Sequence, residues 1–285
     1  MKRRHFIKTF FKTTFGLISM VALSFIYAHY LEPRKIVHQK TRIISHKIPK
    51  SFNDLKIVQF TDTHLGFHYS LEQFSTLIKR INNENPDIVV FTGDLIDRPQ
   101  TFSEKDALVK LLKSIETRLG KFWVFGNHDH GGYGTKMVKD VLTTANFKLL
   151  NNQHINLSRD HEQITIAGID DAILGQPNFE QTFNNIEKTN YTILLAHEPD
   201  LADYAVKYPV DLQLSGHSHG GQIRLPFIGH LYTPPYARKY IRGKYVLKER
   251  QMKLFVSSGI GTTRLPLRFL CQPEFHTFVL QSKNV

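Results

Sequence analysis

Two histidines separated by one residue, His217 and His219, carry the clearest chemical pattern in the sequence. They follow the mostly apolar run of residues 209–214, which is typical of a β-strand. In an extended segment, side chains two residues apart point to the same face, so both imidazoles can approach one ligand. Three glycines nearby let the backbone turn and come close to that ligand; they are Gly216, Gly220 and Gly221. A surface pair of histidines would look the same, so the interpretation depends on other motifs.

Polar residues also follow four other predicted strands. They are Asp62 with His64, Asp94, Asn127 with His128, and His197. Because the carboxyl ends of strands in open α/β sheets form the crevice that binds ligands, we expect these groups to meet at one edge. Carboxylate and imidazole ligands without thiolates suit Mn, Fe, Zn or Co, and the single cysteine, Cys271, excludes a thiolate zinc site. Without His128, the seven candidate ligands are too many for one tetrahedral zinc and fit two ions bridged by a carboxylate.

Hydrophobic periodicity predicts three successive strand-loop-helix units in the first half of the chain. The strands are expected near residues 55–60, 87–91 and 121–125, and the helices near 70–83, 103–119 and 135–145. Such units imply a parallel sheet with helices packed on its faces. Later segments predict short strands at 147–150, 163–169 and 191–196, a helix near 178–186, and hairpins across 223–285 that close a second sheet. The predicted fold class is α/β (α+β), with two stacked mixed β-sheets flanked by helices.

The polar motifs resemble, in order and spacing, those of calcineurin-like metallophosphoesterases. They are Asp62-x-His64, Gly93-Asp94, Gly126-Asn127-His128-Asp129, His197 and Gly216-His217-Ser218-His219. The resemblance covers about residue 52 to the C-terminus and implies a metallophosphatase-like, four-layer sandwich. The longer segments 217–222 and 258–261 are similar to the branch of membrane-tethered or twin-arginine-exported bacterial phosphoesterases. That branch includes UDP-2,3-diacylglucosamine pyrophosphohydrolases of lipid A synthesis.

The resemblance implies roles for individual residues and two divalent metal ions per chain, Mn, Fe or Zn. One ion would be held by Asp62, His64 and His219, and the second by Asn127, His197 and His217, with Asp94 bridging both. His128 would protonate the leaving oxygen or stabilise developing charge, and Asp129 would orient its ring. A metal-activated water would then hydrolyse a phosphodiester, pyrophosphate or phosphomonoester without a covalent enzyme intermediate.

Three interpretations remain open for substrate and activity. The chain could act on UDP-2,3-diacylglucosamine or another lipid-linked phosphate, or it could be a non-catalytic scaffold that keeps the metal-binding fold. Arg264 and Arg268 are candidates for binding a substrate phosphate, although carboxylate pairing would explain them equally. The basic and aromatic segment 232–250 is either a solvated hairpin or a contact for anionic lipid headgroups.

The net charge of +12 is concentrated near the amino terminus. Residues 1–50 contain 11 Lys and Arg and one acid, Glu32, a balance of +10 that leaves +2 for the other 235 residues. A nearly neutral folded part is not typical of a DNA-binding domain, so we expect no nucleic-acid binding. We expect the chain to be a monomer.

Residues 1–31 are expected to form a signal or membrane anchor. A basic start precedes a charge-free run of 19 residues, 13–31, whose helical length approaches the ~30 Å hydrocarbon core of a bilayer. The first residues, Lys2-Arg3-Arg4-His5-Phe6-Ile7-Lys8, resemble a twin-arginine export signal. We therefore expect an uncleaved anchor in a bacterial inner membrane, a connector at 32–50 and an extracytoplasmic phosphoesterase domain at 51–285. A cleaved signal, a cytoplasmic domain and a buried helix of the fold are the alternatives.

Overall fold

Alternating apolar segments form two six-stranded β-sheets in the computed structural model, which describes residues 3–249 and 251–283. The α-helices are α1 (Arg3–Ile26), α2 (Leu71–Asn82), α3 (Lys105–Lys113), α4 (Asn127–His130), α5 (Thr135–Thr144), α6 (Phe179–Phe183) and α7 (Ala202–Ala205). The strands are β1 (Val37–Ser45), β2 (Lys56–Phe60), β3 (Ile88–Phe91), β4 (Gly120–Trp123), β5 (Phe147–Leu149), β6 (Gln153–Arg159), β7 (Glu162–Gly168), β8 (Tyr191–Leu195), β9 (Leu212–Ser215), β10 (Arg224–Leu225), β11 (Gly229–His230), β12 (Gly243–Leu247), β13 (Met252–Val256) and β14 (Glu274–Ser282).

Both sheets are mixed, as expected from the sequence. The first has the order β1-β14-β2-β3-β4-β5, and its strands β2 to β5 run parallel. The second has the order β12-β13-β9-β8-β7-β6, with β13, β9, β8 and β7 parallel. The parallel strands bring the carboxyl ends of β2, β3 and β4 to one edge and those of β8 and β9 to another.

Three apolar clusters hold the layers together. The cluster between the sheets joins Ile57 and Val90 of the first sheet to Ile193 and Leu214 of the second. A second cluster packs α2, α3 and α5 on the outer face of the first sheet, and a third packs α6 and α7 on the outer face of the second. The four predicted layers, helix-sheet-sheet-helix, are therefore confirmed.

The C-terminal strand is placed differently from the prediction. Strands β12 and β13 extend the second sheet, but β14 crosses to the first sheet and pairs with β1 and β2. Because most of β14 is buried, it fits a central position between two neighbours. Strand β1 pairs with the outer edge of β14. Because β1 lies within residues 32–50, the expected connector is part of the first sheet. The hydrophobic pattern of the sequence does not predict the edge strand β6, because the residues of this strand are mostly exposed.

Helix boundaries reflect local side-chain contacts. Ser70 caps α2 in a capping box: its hydroxyl accepts the N–H of Gln73, whose side chain accepts the N–H of Ser70. Helix α3 is shorter than the predicted 103–119. It ends at Lys113 because the Asn82 side chain binds the Ser114 carbonyl and the Glu116 N–H and turns the chain away.

Helix α1 stands outside these layers. It continues into a π-helical turn, Tyr27–Leu31, and a short 3-10 turn, Glu32–Arg34. The helical segment His5–Arg34 is long and apolar enough to cross a membrane. No residue in its most apolar stretch is buried in the protein. The alternative of a buried helix of the fold is therefore wrong. Lys2 and the side chains of Arg3 and Arg4 lie outside the described residues, so the twin-arginine signal stays a prediction.

Glu274, at the start of β14, fastens the loop 257–261 that borders the polar edge of the sheets. Its carboxylate accepts the N–H of Ser258 at 2.8 Å, and its own N–H donates to the carbonyl of Gly259 at 3.0 Å. Burial opposes ionisation of Glu274, but His276 and the Ser258 N–H lower its pKa to about 2. The ionised side chain therefore stabilises the folded state.

We predict that Glu274→Gln destabilises the protein in a pH-dependent way. The pKa in the folded state is below that of the unfolded chain, so the carboxylate contributes stability above pH ~4.5 and loses it as the pH falls toward about 2. The variant should lose up to about 3 kcal/mol of unfolding free energy at pH 7, and the difference should shrink in acid. Denaturant unfolding of the detergent-solubilised chain measures this, with the exposed Glu187→Gln as the control. An equal loss at every pH would contradict the prediction.

Candidate metal centre

The polar residues that follow five strands meet at the joined edges of the two sheets. Asp62 follows β2, Asp94 follows β3 and Asn127 follows β4 in the first sheet, whereas His197 and His217 follow β8 and β9 in the second. Hydrogen bonds tie these loops together: the Asp62 carboxylate accepts the His217 N–H at 3.0 Å, and the Asp62 N–H donates to the Gly93 carbonyl at 2.9 Å. The edge is therefore one buried cluster.

The first group of candidate ligands contains Asp62, His64 and His219, all buried, with ligand atoms within 4.8 Å of one another. The Nε2 atoms of His64 and His219 lie 3.1 Å apart, and the latter lies 3.7 Å from Oδ1 of Asp62. These residues are the ones that the resemblance implies for the first ion.

The second group contains Asp94, His197 and His217, again within 4.8 Å of one another and buried. His197 Nε2 lies 3.1 Å from His217 Nδ1 and 3.3 Å from Asp94 Oδ2. The same Asp94 oxygen lies 3.5 Å from Nε2 of His64 in the first group. Asp94 thus stands between the two groups, where a bridging carboxylate has to be.

Asn127 completes the second group. Its side-chain oxygen is buried and has no hydrogen-bond partner, although buried polar atoms almost always have one. Asn127, Asp94 and His217 line the same cavity. A cation in this cavity would satisfy that oxygen, so Asn127 fits as a ligand.

The electrostatics of His217 and His219 favour a cation over protons. Burial opposes protonation of His217 and, with the neighbouring His197, lowers its pKa to about 3. Burial and His64 likewise lower the pKa of His219. By contrast, although burial opposes it, the carboxylates of Asp94 and Asp62 raise the pKa of His197 well above its usual value. Neutral imidazoles whose bare nitrogens face each other beside carboxylates are the donor set that divalent transition metals bind.

Backbone carbonyls fix the ring nitrogen that each histidine of the second group presents. His197 Nδ1 donates to the Thr92 carbonyl at 2.6 Å, and His217 Nε2 donates to the Pro235 carbonyl at 2.9 Å. When the rings are neutral, the opposite nitrogens, Nε2 of His197 and Nδ1 of His217, carry no proton and face the cluster. Neither acceptor is recognisable in the sequence, because a carbonyl belongs to every residue type.

The ligand loops adopt strained backbone conformations. Five ligand residues have positive φ, a region that residues other than glycine seldom occupy; they are Asp62 (53°), His64 (43°), Asp94 (62°), His217 (66°) and His219 (50°). Gly216 lets its loop pass close to the Asp62 loop, because a Cβ at this position would clash with Oδ2 of Asp62. The fold holds these residues in place against their local preference.

Asp129 does not orient the His128 ring, the role that the resemblance implies for it. Asp97 contacts that ring instead. The carboxylate of Asp129 accepts the N–H groups of Asp94, Leu95 and Gly126, each at 2.9 Å, and so holds the ligand loops rather than the His128 ring. His128 Nδ1 instead donates to the carbonyl of Asp97 at 3.0 Å. The Asp97 carboxylate also lies 3.3 Å from Nδ1 of His64, so this residue orients a ligand and the candidate acid together.

A pocket of about 330 Å³ opens onto the cluster. Asp94, Asn127 and His128 form its floor, and its outer walls carry apolar and aromatic residues, including Ile223, Leu231, Tyr232 and Leu265. Of the two arginines expected to bind substrate, Arg264 lines this pocket, with its guanidinium 4.6 Å from the ring centre of Tyr232.

Arg268 is not available to a substrate. It is fully buried, and its guanidinium donates to the carbonyls of Ser258, Gly261 and Cys271. The sequence could not separate the two arginines, because only the fold determines which one is enclosed. In the basic segment 232–250, Lys239 pairs with Asp203 at 2.7 Å, and Arg250 lies outside the described residues.

Comparison with known proteins identifies a family profile and relatives that this chain matches. The calcineurin-like phosphoesterase family profile matches residues 55–221, which contain all seven candidate ligands. The metallophosphoesterase YkuE of Bacillus subtilis is 44% identical over 289 residues, covering 100% of this chain and 99% of that protein. UDP-2,3-diacylglucosamine pyrophosphatase LpxG of Chlamydia muridarum is 27% identical, covering 93% of this chain and 96% of its own length. A transmembrane protein with metallophosphoesterase domain from Danio rerio is 29% identical and covers 96% of this chain, which spans 63% of it.

We predict that alanine at positions 97 and 129 separates metal binding from folding. Asp97→Ala should weaken metal affinity or activity about 10–100-fold with little change in melting temperature, because it removes only a group that orients a ligand. Asp129→Ala should lower the melting temperature strongly, because three buried N–H groups lose their acceptor, at about 1–3 kcal/mol each. Metal titration and thermal unfolding of both variants test this. Similar melting temperatures for the two would contradict it.

Proposed function

The chain belongs to the calcineurin-like phosphoesterase family, and we propose that it hydrolyses phosphate esters or pyrophosphates with two divalent metal ions. The observation that carries the proposal is the pair of buried ligand groups that share Asp94. Asp62, His64 and His219 would hold one ion, and Asn127, His197 and His217 the other. First-row divalent ions such as Mn, Fe and Zn all accept these ligands.

Bound metal ions would polarise the phosphoryl group and make a water nucleophilic near neutral pH. Residues of the chain would protonate the leaving oxygen and bind the phosphate. His128 lines the pocket with Nδ1 bonded to the Asp97 carbonyl, so Nε2 is the nitrogen available to a leaving oxygen. Arg264, also in the wall, would bind a non-reacting phosphate oxygen.

A phosphate ester with an apolar group is the substrate class that the pocket favours. Ile223, Leu231 and Leu265 in its outer wall offer an apolar surface next to the polar floor. The second candidate activity, hydrolysis of UDP-2,3-diacylglucosamine, is supported by this surface and by the LpxG relative. Such a substrate carries both a pyrophosphate and acyl chains.

We further propose that α1 anchors the protein in a bacterial inner membrane. Its exposed apolar residues, such as Phe15 and Leu23, would contact lipid. The basic first residues would stay in the cytoplasm by the positive-inside rule, which puts the catalytic domain on the outer side.

We predict that Asp94→Ala and His217→Ala abolish metal-dependent hydrolysis of an aryl phosphate ester. The native chain should bind about two metal ions, and each variant should bind fewer because a buried ligand is missing. Metal analysis together with initial rates on the Mn-loaded chain provides the measurement. His161→Asn, which changes an exposed histidine outside the cluster, should retain both properties. Full metal occupancy without hydrolysis of any ester would instead support the non-catalytic scaffold.

A panel of substrates separates the candidate activities. It contains aryl phosphates, cyclic nucleotides and UDP-2,3-diacylglucosamine presented in detergent micelles. A much higher kcat/KM for the diacylated nucleotide would establish the second candidate activity. Absence of its hydrolysis by a preparation active on aryl esters would exclude that activity and leave the general phosphoesterase function intact.

We predict that the effect of His128→Ala depends on the leaving group. If His128 protonates the leaving oxygen, kcat for an alkyl phosphate ester should fall by about 10²–10⁴-fold. The loss for a nitrophenyl ester should be much smaller, because that leaving group departs without a proton. Equal losses for both esters would assign His128 to charge stabilisation instead. Unchanged metal content would show that the metal ligands are intact.

A further inference from the structure

The hairpin of β10 and β11 ends in an apolar tip that contacts nothing in the domain core. Phe227 and Ile228 are exposed by 109% and 70%. Phe227 also has a φ of 65°, a position where turn chemistry favours glycine or asparagine. Neither packing nor backbone preference explains an aromatic residue there.

The tip belongs to a larger exposed apolar patch. Its other members are Leu231, Tyr232, Leu265 and Leu270, with exposures of 56%, 50%, 52% and 48%. Backbone hydrogen bonds join the hairpin to the segment 263–270: Phe269 donates to the Gln222 carbonyl, and Arg224 donates to that of Phe269. We call these four residues, together with Phe227 and Ile228, the hairpin patch.

The hairpin patch adjoins the end of the helix that could span a membrane. The Arg268 N–H donates to the Ala28 carbonyl at 2.9 Å, and the rings of Tyr27 and Phe269 meet edge to face at 6.1 Å. The Glu32 carboxylate accepts the N–H of Leu270 at 2.8 Å and that of Cys271. The exposed apolar surface of α1 therefore continues into the hairpin patch.

The charges around the hairpin patch suit a lipid surface. The sequence contains no Asp or Glu from residue 212 to 248 or from 250 to 273. Arg224 belongs to the hairpin itself, and Arg264 is exposed beside Leu265. Glu32, an acid at the edge of the patch, is buried and its carboxylate accepts the N–H of Leu270. Exposed apolar side chains flanked by cations are typical of segments that enter the headgroup region of anionic membranes.

We propose that the hairpin patch inserts into the lipid bilayer beside α1 and is a second membrane contact of the catalytic domain. It would bring the mouth of the metal pocket to the headgroup layer, because Leu231, Tyr232 and Leu265 line the pocket as well. A substrate with acyl chains could then enter the pocket without leaving the membrane. The proposal builds on the anchoring role of α1, and the experiment below tests the two separately.

Quenching of tryptophan fluorescence by brominated lipids tests the insertion. The only native tryptophan, Trp123, is fully buried and gives a constant background. The full chain is reconstituted in vesicles of phosphatidylethanolamine and phosphatidylglycerol, with or without lipid brominated near the headgroup end of its acyl chains. Reporters are introduced one at a time as Phe227→Trp in the hairpin tip, Phe15→Trp in α1, and Ile44→Trp near the end of β1. Ile44 is exposed but lies at the opposite end of the first sheet from the metal centre.

The bromines should reduce the emission of the Phe227→Trp reporter by about half, because an inserted tip reaches ~5–10 Å into the headgroup and acyl boundary. The Ile44→Trp reporter should be unaffected. A Leu231→Trp reporter should also be quenched, and should lose that quenching when Phe227→Ser and Ile228→Ser are added.

Quenching of Phe15→Trp without quenching of Phe227→Trp would overturn the proposal and leave the anchor intact. No quenching at either position would reject both. A blue shift of the Phe227→Trp emission that bromine does not diminish would show a second copy of the chain covering the patch, which also overturns the proposal. None of these outcomes depends on hydrolysis, so failure of the proposed activity remains distinguishable.

Discussion

The mutual approach of buried nitrogen and oxygen donors is the constraint on which the rest of this structure depends. Within each ligand group, two imidazole nitrogens lie 3.1 Å apart, next to a carboxylate. Without a cation, such an arrangement leaves lone pairs and charges facing one another in a low-dielectric interior, which is costly. The positive φ values of the ligand loops add strain in the same place. The surrounding fold has to offset both, and does so with the three N–H groups bound by Asp129 and with the carbonyls of Thr92 and Pro235.

Two stacked sheets meet this constraint in a way that a single sheet would not. The first sheet supplies Asp62, Asp94 and Asn127 from neighbouring parallel strands, and the second supplies His197 and His217 from the facing edge. Carboxylates thus come mostly from one layer and imidazoles mostly from the other. Because the apolar cluster between the sheets sets their separation, the distance between the donor groups is a consequence of core packing.

The sequence predicts well which candidate ligands lie close together and predicts poorly the groups that support them. Ligands such as His64 and His217 are recognisable because their residue types and their place after strands both carry chemical information. By contrast, Arg264 and Arg268 look alike in the sequence, and only burial shows that Arg268 serves the backbone. The partner of β14 was predicted wrongly for a similar reason: hydrophobic pattern indicates a buried strand but not the sheet that buries it. Asp129 was assigned to the adjacent His128 ring, whereas it binds N–H groups that no sequence pattern reveals.

Arg268 also connects the end of the apolar helix to the candidate metal centre. Its guanidinium binds the carbonyls of Ser258 and Gly261, and the N–H of Gly261 donates to the carbonyl of Asp62 at 2.7 Å. Its backbone N–H holds the last turns of the apolar helix through Ala28. One residue therefore contacts the helix end directly and, through Gly261, the backbone of a candidate metal ligand. The helix end and the loop beside the candidate metal centre are therefore both held by hydrogen bonds of the same buried residue.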